Sequence, residues 1–325
     1  LDRGGGRMTH AVKTPVSWVG NKTAILPVLY SMFPVRYDRY IEPFGGSCAV
    51  LLGKEQADKF EVYNDFDHNL VNLFQCLRDR PLAFIRELGF LHLNARDDFV
   101  TMKRFFEKEK FDTRFMEQEL ELTSFLLPPL EAQELREVYT AVQRDYDLRR
   151  AAMYFKLIRM SYASTRKSFA SQPFNLRCLF RLIRDVSLRL SNVVIENQDF
   201  GKLIKHYDRT GAFFYCDPPY VDTEDMYNGD FGWDDHVRLR ETLGKIQGSF
   251  LLSYNDCPEV RELYRDFPFY SFQRVHSMVQ RYRPGEVYTE ILIGNYELME
   301  RQREQPMQLS LCDLDEKENV KTYEN

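Results

Sequence analysis

The stretch that most constrains the fold of this chain is Gly211-Ala212-Phe213-Phe214-Tyr215-Cys216-Asp217-Pro218-Pro219-Tyr220, an apolar run that ends in an acid, two prolines and a tyrosine. A short aromatic-rich run behind a glycine favours a pleat over a helix, so Phe213 to Cys216 reads as a buried strand. Pro218 and Pro219 end it: neither can donate to a sheet ladder, and both fix their own φ. The result is a rigid turn at the carboxyl end of a strand, where open α/β sheets keep their ligands. The turn gathers a carboxylate, proline carbonyls with no competing N–H, and an aromatic face. An exocyclic amino group on a planar base needs that set, two acceptors for its hydrogens and a π-face to stack on.

Composition limits what can surround such a turn. With 325 residues, 44% hydrophobic and 14% aromatic, the chain can bury a large core as one big domain or as a domain with an inserted lobe. A formal charge of −5 argues against a uniformly basic coat and leaves a local basic surface for any nucleic-acid partner. The six cysteines are scattered with no C-x-x-C, and no histidine pair has metal-ligand spacing; this is the pattern of a reduced cytoplasmic chain without a structural metal. No apolar run approaches the roughly 18 residues needed to span a bilayer, and residues 1–14 read as a flexible leader.

Along the chain, Trp18-Val19-Gly20-Asn21-Lys22 precedes an apolar-periodic segment, Ile25 to Phe33, that reads as the first helix. An aromatic and a cation at a helix entrance can clamp a ligand; a core Trp beside a solvated Lys is the plainer alternative. Tyr40-Ile41-Glu42-Pro43-Phe44-Gly45-Gly46-Ser47 is a strand running into a glycine turn, with a helix opening at Cys48. It is not G-x-G-x-x-G, so a dinucleotide reading is weak. Asp65 ends the next strand, Lys59 to Tyr63, and lies 19 residues after Gly46. A carboxylate there is placed to accept both ribose hydroxyls of an adenosine, although taken alone it reads as a helix N-cap.

From Arg80 to about Tyr154 the pattern changes to long, charged, amphipathic segments, a helical insertion. Its end turns basic: eleven Lys or Arg against three acids between Arg144 and Leu190. Phosphates need that kind of surface, and Tyr162, Arg166 and Lys167 lie in a polar loop with no helical period. Arg181, Arg184 and Arg189 fit a solvated helix face equally well. Strands then resume at Asn192 to Ile195, followed by Asp199-Phe200, and at Ser249 to Tyr254, Phe269 to Val275 and Thr289 to Tyr296, giving seven in all. A basic connection containing Arg281 and Arg283 precedes the last strand and is placed to touch DNA.

Asp217-Pro218-Pro219-Tyr220 resembles the catalytic tetrapeptide of amino-group DNA methyltransferases, and the chain from Pro15 to Tyr296 resembles the Dam-type DNA adenine-N6 methyltransferase family. The resemblance implies a class I methyltransferase fold, a Rossmann-like seven-stranded α/β sheet formed by residues 15–79 and 190–299. It implies a mainly helical target-recognition domain at 80–189 and leaves a flexible tail at 300–325. The implied cofactor is S-adenosylmethionine, held by Trp18 and Lys22 of a W-x-G-x-K element, by Glu42, Pro43, Phe44, Gly45, Gly46 and Ser47, and by Asp65, Asp199, Phe200 and Asp217. Asp217, Pro218, Pro219 and Tyr220 would act on the N6 of an adenine flipped out of duplex DNA. Two positions depart from the pattern: Cys48 stands where a third small glycine is common, and Asp67 where Asn is usual. Cytosine-N4, RNA adenine and protein-glutamine methyltransferases, or a silent DNA-binding protein on this scaffold, are the competing readings. Asp rather than Ser or Asn before the prolines favours DNA adenine. Finally, Gln308-Leu309-Ser310-Leu311 resembles the peptide that docks bacterial proteins on the replicative sliding clamp, with Cys312 where Phe is usual.

Overall fold

The run Ala212–Cys216 is a strand buried at every position, which requires layers on both faces of the sheet. It is β4 of a seven-stranded sheet in a computed structural model that describes residues 11–18, 20–55, 57–90, 96–107, 121, 124–126, 128–134, 147–162, 166–170, 176–221, 231–275 and 287–301. The others are β1 (Arg39–Glu42), β2 (Phe60–Asn64), β3 (Val193–Glu196), β5 (Ser249–Asn255), β6 (Phe269–Val275) and β7 (Val287–Gly294). Their order is β3-β2-β1-β4-β5-β7-β6. Strands β1 to β5 pair in parallel with their neighbours, and β7 runs antiparallel to both β5 and β6. This is the expected class I methyltransferase sheet. Chain order reverses between β1 and β4, so the topological switch point lies just past Glu42 and Cys216.

Pairing, rather than apolar pattern, fixes the strand ends. The last strand starts two residues earlier than the sequence suggests because Val287 pairs with Val275 of β6. The first helix opens as a 3-10 turn at Thr23–Ile25 before α1 (Leu26–Met32), with a proline in its first turn. Within the expected helical insertion one helix runs over Arg96–Glu107.

Two apolar layers sandwich the sheet. On one face Leu29 of α1, Phe33 just after it, Leu51 of α2 (Ala49–Gly53) and Phe74 of α3 (His68–Asp79) pack with Tyr40, Tyr63, Phe213 and Tyr215. On the other, Ile204 of Phe200–Tyr207, Leu239 of Trp233–Leu243 and Tyr264 pack with Ile41, Phe214 and Leu252. Phe84, Phe155 and Ile183, from Pro81–Phe90, Leu148–Arg159 and Leu176–Leu190, belong to the first layer. These helices lie within the expected insertion at 80–189, yet they flank the sheet and share its core.

One buried ion cluster ties the last flanking helix to β2. Arg189 donates to both oxygens of Glu61, at 2.5 and 2.8 Å, and Lys54 Nζ lies 2.8 Å from Glu61. Burial works to raise the Glu61 carboxyl, but Arg189 and Lys54 outweigh it and hold it below the ordinary range. Arg189 is therefore a core residue rather than part of a solvated basic face.

Candidate active site

The glycine turn after β1 is shaped by close approach. Gly45 donates its N–H to the Asn64 carbonyl at 2.7 Å, and a Cβ at Gly45 would lie 2.2 Å from the Tyr63 ring. Gly46 has φ +48 and Cys48 φ +58, both left-handed. Glycine adopts that backbone freely, whereas the side chain of Cys48 is strained there. The Cys48 side chain is fully buried in the core, which offsets part of that strain.

Asp65 stitches this turn to the tip of β2. Its Oδ2 accepts the Gly46 N–H and its Oδ1 the Asp67 N–H, each at 2.8 Å. The helix cap that sequence reasoning offered to Asp65 belongs to Asp67, whose Oδ1 accepts from the Asn69 and Leu70 N–H groups at 3.0 and 3.2 Å. Burial, followed by the charge of Asp67, pushes the Asp65 carboxyl up to about 7, against the pull of its N–H donors and Arg166. Glu42, at the end of β1, is buried and pushed up to about 8 by that burial, while the Tyr40 hydroxyl donates to it at 2.6 Å.

Across the switch point, Asp217 sits between two donors. Lys22 Nζ donates to Oδ2 and Ser253 Oγ to Oδ1, each at 2.7 Å. Lys22 also donates to the Gly20 carbonyl at 2.8 Å and lies 4.9 Å from the centre of the Tyr220 ring. Two motifs 195 positions apart thus meet in one ion pair. Burial raises the Asp217 carboxyl above its ordinary value, and Lys22 and Ser253 work to keep it ionised. Pro218 is buried behind it, and the Tyr220 ring lies 5.9 Å from that of Tyr254.

Both carboxylates open on one cavity of about 330 Å³, lined by every residue expected to hold the cofactor: Trp18, Lys22, Glu42 to Ser47, Asp65, Asp199, Phe200 and Asp217, with Pro219 beside them. One corner is aromatic. Phe44, Phe200 and Phe231 have ring centres 5.2 to 5.9 Å apart. Asp199 caps its helix through the Gly201 and Lys202 N–H groups and pairs with Arg238 at 2.8 Å, which holds its carboxyl below the ordinary range. The same guanidinium covers the Phe200 ring at 3.9 Å. The volume and the few convergent polar groups on apolar walls suit a small-molecule pocket. The donor set fits an adenosyl group: a carboxylate for hydroxyls, aromatic rings for a purine, and an acid beside them for an amino group.

Sequence reasoning missed Phe231, Arg238 and Ser253. Ser253 alone left a signal: it lies near the carboxyl end of the strand beside β4, where Cys216 pairs with Leu252. Phe231 and Arg238 arrive from a helix entrance with no motif to mark it.

The expected DNA contacts separate. Tyr162 and Lys167 are exposed, as are Arg181 and Arg184. Arg166 is not: its side chain is 14% exposed and pairs with Asp67 at 3.2 Å, so its charge is engaged inside the protein rather than offered to phosphates. Arg281, Arg283 and the clamp-like peptide Gln308 to Leu311 lie outside the described residues. No described helix is long and apolar enough to cross a membrane.

The family model described as D12 class N6 adenine-specific DNA methyltransferase matches residues 18–278. The chain is 25% identical over 301 residues to the type II methyltransferase M1.LlaDCHI of Lactococcus lactis subsp. cremoris, covering 86% of this chain and 94% of that protein. It is 24% identical over 287 residues to the Retron Ec67 DNA adenine methylase of Escherichia coli, covering 86% and 90%. With the type II methyltransferase M.CviBI of Paramecium bursaria Chlorella virus NC1A it shares 21% over 294 residues, 88% and 100% of the two chains.

Proposed function

Because the chain belongs to the D12 class N6 adenine-specific DNA methyltransferase family, we propose that the switch-point cavity holds S-adenosylmethionine and that Asp217 receives the amino group of an adenine turned out of duplex DNA. The observation that carries this reading is the placement of Asp217: one carboxylate, held by Lys22 and Ser253, at the edge of the cavity that Asp65 also lines.

Asp65 would take the ribose hydroxyls; Phe44, Phe200 and Phe231 would enclose the purine; Asp199 would meet its amino group. When bound, the cofactor supplies an electrophilic methyl group on a sulfonium. The adenine N6 lone pair is delocalised into the ring and is a poor nucleophile. Asp217 and the Pro218 carbonyl would accept the two N6 hydrogens and draw them out of the ring plane, localising the pair where the bond forms. Lys22 and Ser253 keep the Asp217 carboxylate ionised in a buried place, so it accepts from N6 before transfer and can take the proton that N6 must lose afterwards. Tyr220 would replace lost base stacking, about 1–3 kcal/mol on an aromatic face. Exposed Tyr162 and Lys167 would meet the DNA backbone, together with the basic connection at 281–283.

The test is methylation of an unmodified duplex followed by nucleoside analysis. N6-methyladenine should appear with the wild type, and Asp217→Asn should lower turnover by about two orders of magnitude or more, as for removal of one transition-state contact. N4-methylcytosine as the product, or near-normal turnover in the variant, overturns the reading.

A further inference from the structure

Residues 160–162 and 168–170 run antiparallel to one another. Ala170 donates its N–H to the Met160 carbonyl and Tyr162 to that of Ser168, each at 2.8 Å, and Ser161 bridges Phe169. Tyr162, Lys167 and Ser168 face outward, whereas Arg166 turns in. Its backbone is left-handed at φ +60, an uncommon and costly conformation for a residue with a long side chain.

Four contacts hold that conformation. The Arg166 guanidinium pairs with Asp67 Oδ2 at 3.2 Å, hydrogen-bonds to the Tyr154 hydroxyl, and lies 5.0 Å over the Trp18 ring and 5.6 Å over the Tyr154 ring. Tyr154 itself donates to the same Asp67 oxygen at 2.6 Å. Asp67 and Trp18 both line the cavity. Asp67 also donates its N–H to Asp65 while its second oxygen caps α3. The ion pair is nearly enclosed, with 14% and 8% of the two side chains exposed, so it is screened far less than a surface pair.

We propose that Arg166 is a positioning residue that couples the surface bearing Tyr162 and Lys167 to the methyl-donor pocket: by gripping Asp67 and covering Trp18, it sets the wall on which Asp65 meets the donor. This rests on reading the cavity as the S-adenosylmethionine site and Tyr162 and Lys167 as DNA contacts. Asp67 is part of the device. Its carboxylate faces the inward-turned arginine, which neutralises it. DNA that presses on Tyr162 and Lys167 moves the segment that carries Arg166, and a shift of Arg166 reaches Asp67, the neighbour that donates to Asp65. Because coupling is reciprocal, donor binding must alter DNA affinity by the same factor.

The experiment is calorimetric titration of S-adenosylmethionine into wild type, Arg166→Ala, Arg166→Lys and Asp67→Asn, each with and without a saturating duplex, after thermal denaturation has checked folding at the assay temperature. In the wild type the duplex should change donor affinity about fivefold or more. Arg166→Ala should bind the donor about tenfold more weakly, as for loss of one enclosed charge-assisted contact, and should no longer respond to the duplex; Arg166→Lys should restore part of both. If Arg166→Ala does not fold, Asp67→Asn, which keeps the cap acceptor and removes the charge, must show the same two losses. Donor affinity within twofold of wild type in the variants, or a duplex effect that survives in them or is absent from the wild type, overturns the coupling. Unchanged donor affinity with a shallower salt dependence of DNA binding would make Arg166 a phosphate contact instead. A wild type that binds no donor at all fails at the earlier step, the assignment of the cavity, and shows this before any variant is made.

Discussion

Lowering the pH should weaken S-adenosylmethionine binding through Asp65, an effect that the Asp65→Asn variant separates from titration of Glu42 and Asp217 in the same cavity. The Asp65 carboxyl is pushed from an ordinary 3.8 up to about 7, first by burial and then by the charge of Asp67. Below that value the folded protein holds a proton there, and a protonated carboxyl cannot accept from two hydroxyls with both oxygens. For a group titrating near 7, the ionised fraction at pH 8 is about ten times that at pH 6, so affinity should fall about tenfold across that interval. Stability moves the other way. The folded state binds the extra proton, so this group's contribution to stability declines as pH rises from the ordinary carboxylate range through about 7. Asp65→Asn removes the titration, and its affinity should be weaker than wild type at pH 8 by about ten- to a hundredfold, the loss of a charge-assisted bond of about 1.5–3 kcal/mol. Calorimetry at pH 6, 7 and 8 reads both effects, and comparison with the variant cancels titration of the ligand. Repeated in two buffers of different ionisation enthalpy at pH 7, it should show release of about half a proton on binding to the wild type. If wild type and variant run parallel in pH, or the enthalpy is independent of buffer, Asp65 is not the group that meets the hydroxyls.

Three further outcomes follow from the geometry. Ser253→Ala removes one of the two donors that oppose burial at Asp217, so turnover should fall by about tenfold or more with the acid limb of its pH profile moved upward and the KM for S-adenosylmethionine unchanged; an unmoved limb would show that Ser253 only packs. Arg189→Ala leaves the Glu61 carboxylate in the core with Lys54 as its remaining cation, and urea denaturation should show a loss of about 3–5 kcal/mol; a loss under 1 kcal/mol would contradict the buried pairing. Lys167→Ala should weaken binding to cognate and random duplexes alike and reduce the slope of log K against log salt by about 0.9, as for one phosphate contact; an unchanged slope would take Lys167 off the DNA surface.

The sheet was legible because its strands carry strong local signals. Phe213 to Cys216 cannot be solvated, and Pro218 and Pro219 admit only a turn. The switch-point cavity was legible for a related reason: the Gly45-Gly46 turn and Asp65 are close in sequence and are brought together by adjacent parallel strands. The basic stretch was less so, because charge in a sequence does not say which way a side chain points. Arg166 and Arg189 look like Lys167 and Arg181, yet one pairs with Asp67 and the other with Glu61, both on segments more than 90 residues away. The plainer reading of Asp65 as a cap failed by two positions, since Asp67 offers the same chemistry where α3 begins. Phe231 and Arg238 reach the pocket from the opposite side of the switch point, and nothing local foretells such an approach.

The place of β7 bears on when this enzyme can first work. The last described strand, β7, lies between β5 and β6, and Leu292 is the register partner of Ser253, the residue that holds Asp217. A nascent chain that has reached residue 275 carries every residue of the pocket except this support, with β5 open along one edge and β6 lacking the neighbour it pairs with among the described strands. Domains fold as units during synthesis, but here the unit closes only after residues 287–294 have left the ribosome. Methylation should therefore begin only after residues 287–294 have emerged, and ribosome-stalled chains ending before 287 should be inactive on nearby DNA and prone to pair through the exposed β5 edge.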